Sequence, residues 1–421
     1  MLEGRSVMTH KLKVGAGLVA VVAALGVGSA VLQRRAVAAA AGGQAPRFEV
    51  NPLWPKPLPN HWVIGNTIGV SVDSNDHIWI IHRAGSLEAK ETYLATNSAR
   101  CCIAAPPVLE FDEEGNLLNH WGGPGQGYDW PLSNHGITVD YKGNVWIGGN
   151  GRGTPPGAAK KKEGTPMEDQ TAAGGYYHDN QVLKFTQDGK FLLQIGKPGM
   201  SKGSNDTANL RLPAKLFIDK KTDELYVADG YGNRRVIVFD ATSGKFKRYW
   251  GAYGKKPDDT NLGNYDPKAP IAQQFRNPVH CADVSDDGFV YVCDRVNDRM
   301  QVFKTDGTFV KEAFFDKNTL GDGSVWDVAF SKDPQQQFLY VADGANERIN
   351  ILDRQTLQVV SSFGDGGRQP GQFYAVHSIA TDSKGNIFTT ETYRGQRVQK
   401  FDYKGMGPAK ADQGVVWPAK K

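Results

Sequence analysis

The sequence predicts an all-β protein, a six-bladed β-propeller closed by an N-terminal strand, and three observations support this. The 421 residues include 49 glycines and 22 prolines among many β-branched and aromatic residues, with no long apolar stripe of helical period. A strand–turn–strand–loop–strand unit recurs six times. The last copy lacks a fourth strand of its own, and "RFEVNPLW" at 47–54 is placed to supply it.

The first 45 residues precede the repeats and differ in kind. A basic start leads into 19 uncharged, mostly apolar residues at 14–32, followed by small residues that include Ala-Val-Ala at 36–38. This is the pattern of an export signal, and the alternative is an uncleaved N-terminal membrane anchor, since Arg34 and Arg35 follow the apolar run directly. Both readings place the remainder outside the cytoplasm, periplasmic or secreted. The charged residues of this segment account for the whole formal excess of +4, so the rest is near neutral. That balance gives no reason to expect a nucleic-acid partner, and a membrane would be met only through the leader.

The repeats begin at 67–83 ("TIGVSVDSNDHIWIIHR") and 135–151 ("HGITVDYKGNVWIGGNG"). They continue at 214–240, 280–307, 325–353 and 377–402, each with a third strand of the type "RVIVFD". One four-stranded meander cannot cover both of its faces, so radial packing of six is the economical arrangement. The expected division is a leader at 1–45, a propeller at 46–403 and a C-terminal tail at 404–421. Long insertions at 84–106 and 150–179 follow the second strands of the first two units and should overhang the face where the first strands start. Cys281 and Cys293 fall on neighbouring strands of one hairpin, where a disulfide and two buried thiols are both open readings, and the partners of Cys101 and Cys102 are undetermined.

Aligning the six first-strand starts gives Ile68, His135, Lys215, His280, Trp326 and His377. Histidine falls in alternate units. First strands line the channel of a propeller, so these three imidazoles converge on its axis with approximate threefold symmetry. Three neutral imidazoles with an open fourth position form a zinc site of the catalytic kind, with bonds of about 2.0–2.1 Å. One such histidine would read as a polar channel residue, whereas three in register point to a metal. At the same mouth stand Arg83 in "IIHR", Tyr231 in "ADGYGNRR" and Arg295 in "CDRVNDR". A tyrosine flanked by cations is a candidate base, and an arginine is a bidentate clamp for a carboxylate.

On these residues the chain resembles the NHL-repeat propellers, through "VYVCDRVNDRMQVF" and "FGDGGRQPGQF", and within them the peptidyl-α-hydroxyglycine α-amidating lyases. The resemblance implies that His135, His280 and His377 hold zinc and that Arg83, Tyr231 and Arg295 belong to the catalytic site. It also marks departures. The family's proline before each zinc histidine is replaced by Asn134, Val279 and Val376, and a methionine by Ala375. The acidic residue that the family links to a structural calcium is Ser378 here, which argues against calcium.

The implied reaction is cleavage of a carbinolamide to an amide and glyoxylate. In that scheme Tyr231 is the general base, Arg83 favours its phenolate, and Arg295 anchors a carboxylate or supports charge. The expected substrate is a small molecule or peptide carrying a carboxylate, and the expected state is a monomer. Two rival readings are a non-catalytic NHL propeller that binds a peptide, glycan or protein on the insertion-bearing face, and a calcium-dependent lactonase. Calcium takes hard oxygen ligands, and histidines at these positions argue against the lactonase.

Overall fold

The computed structural model describes residues 43–153 and 177–418. The leader and most of the second insertion lie outside the described residues. Six antiparallel four-stranded sheets stand around one axis, in the six-bladed propeller arrangement the repeats predict. Their inner strands are Asn66–Val72, Asn134–Val139, Leu216–Asp219, Val279–Val284, Asp327–Phe330 and Val376–Thr381. The sixth blade is completed by Gln44–Asn51, which pairs antiparallel with Arg397–Pro408. This joins the two ends of the described chain and closes the ring. No helix among the described residues is long and apolar enough to cross a membrane.

Arg397–Pro408 runs past residue 403, and the segment after it packs on the sixth blade: Val50 N donates to Val416 O at 2.8 Å, and Val416 is buried.

The core consists of six apolar clusters, each filling the wedge between two neighbouring blades. This explains why second strands such as Glu224–Asp229 are buried at every position instead of alternating. Both of their faces meet another blade.

One polar device fixes the face on which inner strands begin. An acid at the end of the second strand binds the arginine that opens the third strand and a backbone N–H that precedes the first. Asp229 accepts from Arg235 Nε at 2.8 Å, from Asn233 at 2.7 Å and from the Arg211 N–H at 2.8 Å. Asp294 does the same with Arg299, Asn297 and the Arg276 N–H, and Glu391 with Arg397 and the Tyr374 N–H. The Asp229–Arg235 and Asp294–Arg299 pairs are fully buried, and such pairs are retained when the groups around them are hydrogen-bonded.

Cys281 and Cys293 are direct cross-strand partners and form a disulfide, which resolves the alternative left open by the sequence. Cys101 and Cys102 are joined to each other in the first-blade insertion. That insertion holds three short 3-10 turns and is tied back through Ile103–Ala104, which pairs in parallel with Trp62–Val63.

Asp298, just before the third strand of the fourth blade, adopts a left-handed conformation at φ 51°, accepts the Ser324 N–H at 2.9 Å, and buries Oδ2 without a partner. Burial pushes its carboxyl up to about 7 from the usual 3.8. A raised carboxyl binds its proton more tightly in the folded state, so this contribution to stability is complete at acid pH and is lost as pH rises towards 7. Asn keeps the acceptor and tolerates the left-handed backbone. The melting-temperature advantage of Asp298→Asn over wild type should therefore grow by about 1–2 °C between roughly pH 5 and pH 8 in calorimetry. An advantage independent of pH would show that the buried charge is not the cause.

Candidate metal centre and catalytic site

His135, His280 and His377 each sit where the ladder between inner and second strand slips register, between Asn134 and Ile137, Val279 and Cys281, and Val376 and Ser378. A bulge leaves its extra residue unpaired and re-aims the side chain, here toward the axis. The rings lie 4.8–5.2 Å apart between centroids, and one nitrogen from each falls within 4.8 Å of the other two. All three residues are buried.

The ring orientation is fixed from outside. Each Nδ1 meets a carbonyl oxygen in, or within two residues before, the following inner strand: Ala214 O at 2.8 Å for His135, Trp326 O at 2.5 Å for His280, and Ile68 O at 2.9 Å for His377. A carbonyl only accepts, so Nδ1 carries the proton and the Nε2 lone pair remains for a metal. Burial is the main cause that pushes all three imidazoles well below the usual range, and the neighbouring histidines, Arg83 and Arg295 add to it. They are neutral at physiological pH, the form that ligates.

Tyr231 Oη lies 3.0 Å from Nε2 of both His135 and His280. One phenol proton serves only one of these lone pairs, which leaves a second nitrogen facing oxygen with no proton between them. A cation among the three Nε2 atoms relieves that conflict, and three neutral imidazoles with an open fourth position are a donor set suited to zinc. The residues therefore fit the metal.

Arg295 Nη1 donates to Tyr231 Oη at 3.2 Å. Its guanidinium lies 4.4 Å from the Trp326 ring centroid, and Nη2 lies 3.4 Å from Asp322 Oδ1. Arg83 makes no hydrogen bond to the phenol, although Tyr231 lies within its electrostatic range. Its Nε donates to Asn134 O and its Nη2 to Asn150 Oδ1, both at 2.8 Å. These bonds hold it next to His135 and leave Nη1 without a described protein partner. Arg295, not Arg83, touches the tyrosine, because Asn134 and Asn150 capture the Arg83 fork first.

Two mouth residues escaped the sequence reading. Tyr393 Oη donates to Asp322 Oδ2 at 2.9 Å, so Asp322 links Tyr393 to Arg295. Burial first, and Asp322 second, push the Tyr393 phenol up to about 12, so it stays a donor. Tyr393 stands two residues beyond the latching Glu391, as Tyr231 stands two beyond Asp229. Comparison of that turn across the units would have found it.

The space directly beneath the three rings measures only about 10 Å³. A ligand must therefore approach from the face carrying Tyr231 and the arginines. Deeper in the channel, Lys215 Nζ lies 2.5 Å from Asp327 Oδ1 and 3.0 Å from Asp283 Oδ1. Asp327 Oδ2 also accepts from Ser378 Oγ at 2.7 Å and from the Ile379 N–H at 3.1 Å. Burial disfavours the ammonium, but Asp283 and Asp327 outweigh it and raise its pKa. Burial pushes Asp283 up to about 7, against the pull of Lys215. These residues do not fit calcium, because a lysine ammonium already occupies the meeting point of the two carboxylates.

A six-bladed propeller with three histidines converging on its axis defines the class to which this fold and site correspond. Its relatives are NHL-repeat proteins and amidating lyases at low identity. The chain is 24% identical to NHL repeat-containing protein 3 of Mus musculus over 323 residues, 73% of this chain and 70% of that protein. It is 24% identical to peptidyl-alpha-hydroxyglycine alpha-amidating lyase 1 of Drosophila melanogaster over 380 residues, covering 84% of this chain and 59% of the lyase. Against peptidylglycine alpha-amidating monooxygenase of Rattus norvegicus it is 27% identical over 268 residues, 61% of this chain but 23% of that protein. No family model matches the sequence. Among solved structures, a streptogramin B lyase aligns over 86% of this chain and 98% of its own, with 11% identity and a TM-score of 0.48.

Proposed function

We propose that this protein is a zinc-dependent lyase that cleaves an α-hydroxyglycine-type carbinolamide, R-CO-NH-CH(OH)-COO⁻, to the amide and glyoxylate. The observation that carries this reading is the convergence of Tyr231 Oη on two of the three inward Nε2 atoms, with Arg295 donating to the same oxygen. His135, His280 and His377 would hold the metal through Nε2. When bound, zinc supplies Lewis-acid stabilisation of negative charge developing on oxygen.

The chain's own residues do the rest. Tyr231 Oη accepts the hydroxyl proton, the carbon–nitrogen bond breaks as the carbonyl of glyoxylate forms, and Oη returns the proton to the departing amide nitrogen. Arg295 stabilises charge on the tyrosine oxygen through its 3.2 Å hydrogen bond. Arg83, held by Asn134 and Asn150, offers Nη1 to the substrate carboxylate. The enclosed floor beneath the rings leaves the amide side of the substrate extending over the entry face.

The direct test is glyoxylate release from N-benzoyl-α-hydroxyglycine, with and without a chelator. Release that stops on zinc removal and returns on adding zinc supports the lyase. No release by the zinc-loaded protein would leave a non-catalytic binding propeller as the better reading.

A further inference from the structure

Beside the catalytic mouth a cavity of about 650 Å³ opens between the third and fourth blades. Arg234, Arg276, Asn261, Tyr265, Val296 and Gly321 are among its lining residues. Val296 and Gly321 adjoin Arg295 and Asp322 in the chain, and Asn277, which also lines the cavity, donates to Gly230 O beside Tyr231, so the cavity neighbours the site above.

Both arginines are anchored by neutral acceptors. Arg234 Nε donates to Asn277 Oδ1 at 3.0 Å and its Nη1 to Thr260 O. Arg276 Nε donates to Asn297 Oδ1 at 2.9 Å, and its Nη1 to Leu262 O and Gly263 O. Among the described residues, none accepts from Nη2 of either and none forms an ion pair with either. The nearest acids do not contact either fork: Asp259 and Asp258 bond the neutral hydroxyls of Ser204 and Thr260 and act on Arg234 only at a distance, and Asp294 is paired with Arg299 and Asn297. Burial lowers the proton affinity of both guanidiniums, opposed by Asp259 at Arg234 and by Asp294 at Arg276, and the charge of Arg276 adds to the lowering at Arg234. Two positioned cations, neither in direct ion-pair contact with a carboxylate and both with a free Nη2, share one cavity wall, and planar guanidinium forks suit a carboxylate.

We propose that this cavity is a second anion subsite, in which Arg234 and Arg276 bind a carboxylate carried on the amide side of the substrate; the assignment rests on the lyase reading above. The preferred substrate is then a dicarboxylate, with one carboxylate at the glycolate end and another on the acyl or peptide portion.

The test compares N-benzoyl-α-hydroxyglycine, neutral on its amide side, with N-glutaryl-α-hydroxyglycine, in wild type, Arg276→Gln and Arg234→Gln. Wild type should favour the glutaryl compound by about tenfold or more in kcat/KM, chiefly through KM. Each substitution should abolish that preference and leave turnover of the benzoyl compound unchanged. Equal kcat/KM in wild type, or a preference that survives both substitutions, overturns the subsite while the lyase reading stands. Turnover of neither compound overturns the lyase reading. Calorimetric titration with glutarate then decides the cavity on its own: binding lost in Arg276→Gln supports it, and absent binding, or binding indifferent to that substitution, refutes it.

Discussion

Tyr231→Phe is expected to lower kcat for glyoxylate release by about 10²–10⁴-fold while the zinc content stays at the wild-type level. The expectation follows from one atom. Oη is the only part of the side chain removed, and it is the atom within 3.0 Å of two histidine nitrogens and 3.2 Å of Arg295. The ring remains, stacked edge-on against His135 at 4.9 Å, so the substitution leaves the wall of the site in place. The metal is held by nitrogens whose orientation is set by the Ala214, Trp326 and Ile68 carbonyls, none of which involves Tyr231. A variant with full activity would remove the phenol from the chemistry. One that also loses zinc would show the tyrosine to be a ligand instead of a base.

The second large effect concerns stability. Lys215→Met should destabilise the propeller by about 3–5 kcal/mol, because it leaves two buried carboxylates facing each other without a cation. Asp283 and Asp327 belong to the fourth and fifth blades, Lys215 precedes the inner strand of the third, and Ser378 in the sixth completes the cluster. The loss is therefore felt across the ring. Adding Asp283→Asn to Lys215→Met should recover part of it, since one of the two unpaired charges is gone. Denaturant unfolding reads both variants. The same experiment on wild type should show no dependence of the midpoint on calcium or on a calcium-selective chelator, and stabilisation by added calcium would contradict the assignment of the ammonium to that place.

The architecture was legible because propeller repeats are written in register: six first strands could be laid over one another, and the histidines then fell in alternate copies. Closure by Gln44–Asn51 was legible for the same reason, since the sixth copy was one strand short. What stayed hidden depended on contacts between copies. Lys215 appeared in the same alignment as the histidines, but its role needs Asp283 and Asp327, whose side chains meet it only once three blades are assembled. The arginine roles could not be sorted from spacing, because the capture of Arg83 by Asn134 and Asn150 joins segments up to 67 residues apart. The latching acids were visible in "DGYGN", "DRVND" and "ETYRG" as turn residues, yet their function in fixing the entry face appears only with the N–H groups they receive. Tyr393 belonged to that same turn and was missed because its neighbours differ from those of Tyr231.

One ion shared by three imidazole nitrogens is the centre of the proposed chemistry. Metal content of the protein purified without chelator, measured by plasma mass spectrometry beside His280→Ala, tests it most directly. The prediction is about one zinc per chain in wild type and a large loss in the variant. Wild-type protein that carries no zinc and takes none up from a zinc-containing buffer would contradict it.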